Sequence, residues 1–171
     1  MSYLEDFEVA KHAISCINST SLAVLSTMDR REGIWGSPVP FTHDEDFNFY
    51  VVASRRSRHV HDIASVQGVS LVVLMSPNIT GGAQVGLQVY GKASIVPEKE
   101  TGTLFAGKFK AVIGDGIDYF NQRGAQMIKN EGGVFFKIEP QSIIYLDRRY
   151  YGLASKKVPI KMLIRLNKFV Q

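Results

Sequence analysis

The chain has 171 residues, 45% of them hydrophobic and 21% charged, with a formal net charge of +4. That length supports one domain whose core needs no metal or disulfide staple, and no apolar run exceeds five residues (Leu71 to Met75), far short of the roughly 20 that span a bilayer. The mild positive charge permits an anionic ligand without requiring a nucleic acid, and a single cysteine, Cys16, excludes an internal disulfide.

In chain order, Ser2-Tyr-Leu-Glu5 has the S-x-x-E form of a capping box and opens a helix over 3–18. Leu4, Phe7, Ala10, Ile14 and Ile17 recur at spacings of three and four, which predicts one buried face. From Ser21 the chain reads as strands. Ser21 to Met28 and Ile34 to Phe41 are joined by Asp-Arg-Arg-Glu-Gly, a turn whose Gly33 can supply positive φ. The run Phe47 to Ala53 completes an expected antiparallel meander. Pro38 and Pro40 cannot donate ladder hydrogen bonds, so their strand is irregular, bulged or at an edge there. A short helix over about Ser57 to Ser65 precedes the apolar strand that begins after Gly68, and a long strand with Val85, Leu87 and Val89 in alternation follows. Helical regions are expected after Pro97 and over roughly Asp115 to Asn130, then two closing strands, Val-Phe-Phe-Lys-Ile-Glu-Pro and Ser-Ile-Ile-Tyr-Leu-Asp-Arg. With no repeat or low-complexity linker, the pattern predicts one domain over 1–171: the N-terminal helix, a barrel core over 21–148 and a C-terminal tail over 149–171. Many strands with hairpin signals and inserted helices make it α+β, built on an antiparallel barrel.

The densest signal is Ser54-Arg-Arg-Ser-Arg-His-Val-His-Asp62, which holds three arginines and two histidines between Arg55 and His61. Such a knot must be made tolerable by solvent, by a carboxylate elsewhere in the chain, by a nucleic acid or by a bound phosphate. A solvated turn is the ordinary outcome for a charge run. Three features favour an anion: the hydroxyls of Ser54 and Ser57, the start of a helix with its free N–H groups, and the scarcity of neighbouring acids, Asp62 alone being close. Neither a Walker loop nor a G-x-G-x-x-G motif occurs.

From Phe49 through the knot to the strand Val-Ser-Leu-Val-Val, the sequence resembles the pyridoxamine 5′-phosphate oxidase-like FMN-binding split barrels. Ser57, Arg58 and His59 take the places of that family's Ser-Arg-Lys, with one extra residue between strand and motif. Leu22 to Phe41 looks like the family's first hairpin, and Leu-Gln-Val-Tyr-Gly-Lys-Ala like its Q-V-x-x-x-G-x-A strand, where Gln88 matches the FMN-contacting glutamine. The resemblance covers approximately Ser21 to Val96. It implies a six- to seven-stranded antiparallel split β-barrel with peripheral helices. It also implies FMN as cofactor and a homodimer with FMN at the subunit interface. The phosphate would be held by Ser57, Arg58 and His59, assisted by Arg55, Arg56 and Ser54. Backbone groups of Pro38, Val39, Pro40, Phe41, Tyr50 and Val51 would flank the flavin ring, with Gln88 as a side-chain contact. His59 in place of lysine makes the cation density pH-dependent. The arginine- and tryptophan-bearing ending of true vitamin B6 oxidases is missing; the only tryptophan is Trp35.

Other candidates carry less. His59 and His61 at i, i+2 point apart on a helix, so no metal site is expected. His12 and His43 read as a helix-surface and a turn residue, and Cys16 as packed rather than reactive. Tyr150, Tyr151, Lys156 and Lys157 form a second aromatic-basic cluster, read as a surface hairpin end or a wall over the cofactor. The expectation is an FMN-binding oxidoreductase-like protein of the cytoplasm, without a nameable acid or base, that engages neither nucleic acid nor membrane; no secretory signal opens the sequence. A non-catalytic FMN- or haem-binding protein is the alternative from a different class.

Overall fold

Along β1 (Leu22–Asp29), Ala23, Leu25 and Thr27 are buried while Leu22, Val24 and Met28 are exposed, the period-two pattern of a strand with one face on a core. The same alternation runs through β3 (Phe49–Ser54), β4 (Gly68–Leu74) and most of β5 (Val85–Ile95). The computed structural model describes residues 3–75, 84–97 and 133–170, except the side chains of 169 and 170. In it the strands pair in the order β3-β2-β1-β4-β5-β6, with β2 spanning Gly33–His43 and β6 spanning Gly133–Asp147; a further β3–β6 pairing closes the ring. All pairings are antiparallel, so the expected α+β barrel is present, with a short β7 (Ser155–Lys157) added on β6. Phe41, Phe49, Phe136, Leu25, Leu71 and Leu87 fill its interior. Each such side chain contributes about 1.5–3 kcal/mol of burial energy.

The ring is not zipped throughout. β1 and β2 pair from Leu22↔Pro40 to Asp29↔Gly33, whereas β2 and β3 pair only from Phe41↔Val51 to His43↔Phe49. Gly33 to Pro40 therefore has a partner strand on one side only among the described residues. The Phe41 N–H donates to Ser21 on the β1 side. Since N–H direction alternates along a strand, Pro38 and Pro40 face the unpaired side, where a missing donor costs nothing. Of the three options the prolines allowed, the edge is realised.

Four helices are described: α1 (Tyr3–Asn18), α2 (Arg58–Ser65), α3 (Arg148–Tyr151) and α4 (Ile160–Val170). The buried stripe of α1 is Val9, Ala10, Ala13, Cys16 and Ile17, and Leu4 is 75% exposed. The stripe is rotated from the predicted one because small residues, not the largest apolar ones, let the helix sit close to β4, β5 and α4. Ser2, the proposed cap, lies outside the described residues, as do the helical regions expected beyond Pro97. Phe47 is not in β3: it takes a left-handed φ of 58° in a turn whose N–H groups at Asp46 and Asn48 donate to Asp44. Full burial of its ring, stacked on His43 at 4.8 Å, offsets that local strain. The two closing strands are one continuous β6, because the register slip between Tyr90↔Ser142 and Gly91↔Pro140 places Gln141 in a bulge. The tail folds too. Val158 and Leu163 are buried, and α4 packs against α1.

Gly91 sits at that bulge, where an added Cβ would lie 2.5 Å from the Glu139 carbonyl oxygen and 3.0 Å from Ile138 Cγ2. Gly91→Ala is expected to destabilise the fold by about 1–3 kcal/mol through overpacking. A denaturant midpoint equal to wild type would show that the bulge can open.

Candidate functional site

β1 and β3 run in the same direction, so the turn after β1 and the knot after β3 meet at one end of the barrel. There β3 ends at Ser54, and a tight turn follows in which Ser57 N–H donates to Ser54 carbonyl oxygen at 2.9 Å. Ser57 is the N-cap of α2 in extended backbone (φ −68°, ψ 143°), and its hydroxyl makes no cap hydrogen bond. Arg55 and Arg56 are exposed in the turn, and Arg58 and His59 begin the helix half-buried. Arg58 Nε and one terminal Nη, with His59 Nε2, are buried polar atoms without a hydrogen-bond partner among the described residues. Buried donors normally find partners. Three orphaned polar atoms beside a helix start and a free hydroxyl form a site suited to an anion with several acceptor oxygens, such as phosphate.

The question raised by the knot receives part of its answer from elsewhere in the chain. Arg58 Nη1 lies 3.0 Å from Glu32 Oε2 on the β1–β2 turn, and its guanidinium lies 4.9 Å from the centre of the Trp35 ring. Asp62, one helical turn on, is buried; its Oδ2 accepts the Thr27 hydroxyl at 2.6 Å and stands 3.7 Å from Arg58 Nε. Asp62 is thus not the sole neighbouring acid. Glu32 lies 26 positions before Arg58 in sequence, and only hairpin formation brings it near. Thr27 and Trp35 are cross-strand partners on β1 and β2, which places both on the side that α2 covers.

The unpaired length of β2 runs toward this end. Pro38 and Pro40 lie on that open edge, while the Val39, Phe41 and Val51 side chains are buried, leaving only their backbone for a ligand. Tyr50 lies where β2 and β3 still pair, and its hydroxyl donates to Asp44 Oδ2 at 3.0 Å. Gln88 is exposed on the outer barrel face, in a row with Pro38, Val24, Val72 and Ile144. It stands three strands from Pro38, roughly 14 Å at the usual strand spacing. The fold gathers the knot, Trp35 and the β2 edge, and leaves Gln88 and the Tyr50 hydroxyl apart from them. Beside Gln88, a cavity of about 330 Å³ is lined by Val72, Leu74, Leu87 and Leu146.

In the second aromatic-basic cluster Tyr150 and Lys157 lie at the surface, as the surface reading expected, while Tyr151 and Lys156 are half-buried. Tyr150 stacks on His12 at 4.4 Å, Tyr151 meets Tyr145 edge-on, and Lys156 Nζ bonds Glu5 Oε1 at 2.7 Å. These contacts fasten the tail to α1 and β6. His12 is consequently half-buried, and His43 ends β2 with its ring nitrogen 2.9 Å from Asn18 Oδ1. Burial, with the Asp147 charge adding to it, pushes the Cys16 thiol up to about 11, so it is unreactive at neutral pH. No cluster of metal-ligating side chains occurs among the described residues. No described helix is long and apolar enough to cross a membrane.

The family model described as Pyridoxamine 5′-phosphate oxidase matches residues 10–147. No curated protein matches the chain. Several solved structures share the fold. A Clostridium acetobutylicum protein related to general stress protein 26, of the pyridoxinephosphate oxidase family, is 13% identical over 92% of this chain and 98% of its own (TM-score 0.67). HutZ, the heme storage protein from Vibrio cholerae, is 17% identical over 79% and 92% (TM-score 0.60). A heme-binding protein from Mycobacterium smegmatis is 14% identical over 94% of this chain but 60% of its own (TM-score 0.68).

Proposed function

The chain belongs to the pyridoxamine 5′-phosphate oxidase family, and from that membership we propose that it binds FMN as an oxidoreductase-like protein acting on a small molecule. The observation that carries the reading is the set of orphaned polar atoms on Arg58 and His59 at the start of α2. Arg58, His59 and the Ser57 hydroxyl hold the phosphate, the exposed Arg55 and Arg56 add field strength, and the β2 edge from Gly36 to Pro40 faces the ring through its backbone. Bound FMN supplies hydride exchange at its ring. The protein's share is anchoring, orientation and exclusion of water.

The cheapest test is the visible spectrum of the purified protein, followed by titration with FMN and, separately, haemin. Flavin bands or tight FMN binding support the proposal. A Soret band with no FMN affinity moves the protein to the haem-binding reading that two of the similar structures raise.

The proposal includes a second copy of the chain. Leu22 (61% exposed), Ile34 (74%), Leu74 (61%) and Tyr90 (54%) share the outer barrel face with Val24 and Met28. A patch of this kind seeks a partner, and the matching patch on a second copy is self-complementary about a twofold axis. Gln88 stands on this face, so it reaches a flavin only across such an interface. The expected mass in light scattering is twice the 19.0 kDa chain. A monomer that still binds FMN tightly would remove both the dimer and the role of Gln88.

His59 gives the site a pH signature. Burial holds its imidazole below the usual range, with the Asp62 charge acting in the opposite sense. The ring is therefore neutral near pH 7 until a phosphate dianion favours the imidazolium. Binding raises its pKa, so its contribution is complete below the ligand-free value and fades as pH rises through the bound value. The phosphate loses its second charge below about pH 6, so affinity is expected to peak near neutrality. His59→Lys should flatten the alkaline limb. Identical profiles for the two proteins between about pH 6 and 9 would detach His59 from the phosphate.

A further inference from the structure

Two carboxylates flank Arg58, and their surroundings differ. Asp62 has a side chain only 4% exposed and is held by the Thr27 hydroxyl from β1, itself buried. It has little freedom to move away, and it faces the Nε side of the guanidinium. Glu32 has a side chain 69% exposed on the β1–β2 turn and meets Nη1 at 3.0 Å. Asp29 Oδ1 accepts the Arg31 and Glu32 N–H groups at 2.7 and 2.9 Å, which fixes where the Glu32 side chain begins. Its carboxylate remains free to swing into water, and an exposed pair of this type is weak.

Resting on the assignment of Arg58 to a ligand phosphate, we infer that Asp62 and Glu32 act on Arg58 in opposite senses. Asp62 is a positioning residue that aims the guanidinium, and Glu32 is an internal anion that competes with the phosphate for Nη1. The β1–β2 turn thereby sets how readily the clamp accepts a phosphorylated ligand. Phosphate binding engages Nη2, which has no hydrogen-bond partner among the described residues, and draws Nη1 from Glu32 to the ligand, while Asp62 at Nε, Thr27 and Trp35 keep the fork in place.

The signs distinguish this arrangement from bulk electrostatics. Removing either negative charge near a bound dianion would, through charge alone, tighten binding. Positioning by Asp62 requires the reverse at that residue. Fluorescence titrations with FMN and with riboflavin, which lacks the phosphate, read the effect as the ratio of the two affinities. Glu32→Gln is expected to tighten FMN roughly two- to five-fold with riboflavin unchanged. Asp62→Asn is expected to weaken FMN roughly two- to thirty-fold, again leaving riboflavin unchanged. Thr27→Val keeps the side-chain shape, releases Asp62 and should weaken FMN in the same direction, so the test survives if Asp62→Asn does not fold. In an Arg58→Ala background the Glu32→Gln gain should vanish. Tighter FMN binding by both carboxylate variants would overturn the positioning of Asp62, and a Glu32→Gln gain that persists without Arg58 would overturn the competition. Equal losses of FMN and riboflavin in Asp62→Asn and Thr27→Val would make Asp62 merely structural. If Arg58→Ala itself leaves FMN affinity unchanged, it is the phosphate assignment that fails.

Discussion

Arg58→Ala is expected to weaken FMN binding by about 1.5–3 kcal/mol, roughly ten- to 150-fold, in a fluorescence titration near pH 7. A hydrogen bond from a guanidinium to phosphate is charge-assisted. Arg58 is prepared for it: its Nη2 is buried without a hydrogen-bond partner among the described residues, Asp62 stands beside Nε, and the Trp35 ring centre lies 4.9 Å from the guanidinium carbon. Little ordering remains to oppose the contact. Arg31 is the control. It lies on the neighbouring turn and is exposed, so Arg31→Ala should change affinity by less than about 0.5 kcal/mol. Arg58→Lys keeps the charge and loses the planar fork, so an intermediate loss is expected. Equal affinities for the two alanine variants would place the phosphate elsewhere on the barrel.

The largest expected stability effect lies away from the Arg58 site. Asp147 is fully buried at the end of β6, where Oδ2 accepts the Tyr145 hydroxyl at 2.8 Å and Arg149 Nη2 at 2.7 Å. Its Oδ1 accepts the Arg149 backbone N–H at 2.9 Å, capping α3, and Arg149 Nε at 3.0 Å. Asp147→Ala orphans a buried hydroxyl and removes the cap, a loss of about 2–4 kcal/mol. For a chain of this size that lowers the melting temperature by roughly 4–16 °C. Burial tends to raise the carboxyl, but the hydrogen bonds from Arg149 and Tyr145 outweigh it and hold Asp147 below the ordinary range. A depressed carboxyl contributes stability that is full above its unfolded value near 4 and is lost as pH falls through the folded value. Asp147→Asn should cost less, since asparagine also caps, and its deficit relative to wild type should shrink below about pH 4. A deficit unchanged from pH 7 to 3 would mean that the charge plays no part.

The barrel was legible because its causes are local. Alternating apolar residues in β1, β3, β4 and β5 fix which face is buried, Gly33 marks the turn with its positive φ of 85°, and Pro38 and Pro40 mark an edge. The knot at Ser54 to His59 was legible for the same reason, being a strand end, a turn and a helix start within a few residues. The tail carried a readable signal in Ile160, Leu163 and Ile164 at helical spacing. Its seat on α1 was not readable, because that depends on what the first helix leaves uncovered. The α1 stripe was misjudged for a related reason: periodicity gives the repeat of a buried face but not which rotation a neighbour selects. Tertiary structure alone decided what surrounds Arg58. Glu32, Trp35 and Thr27 are distant from it in sequence, and they meet it because β1 and β3 run the same way and end together. A charge run states how many cations must be balanced. Which anion balances each one depends on separations of a few ångströms across the fold, and those are set by strand register rather than by the residues of the run.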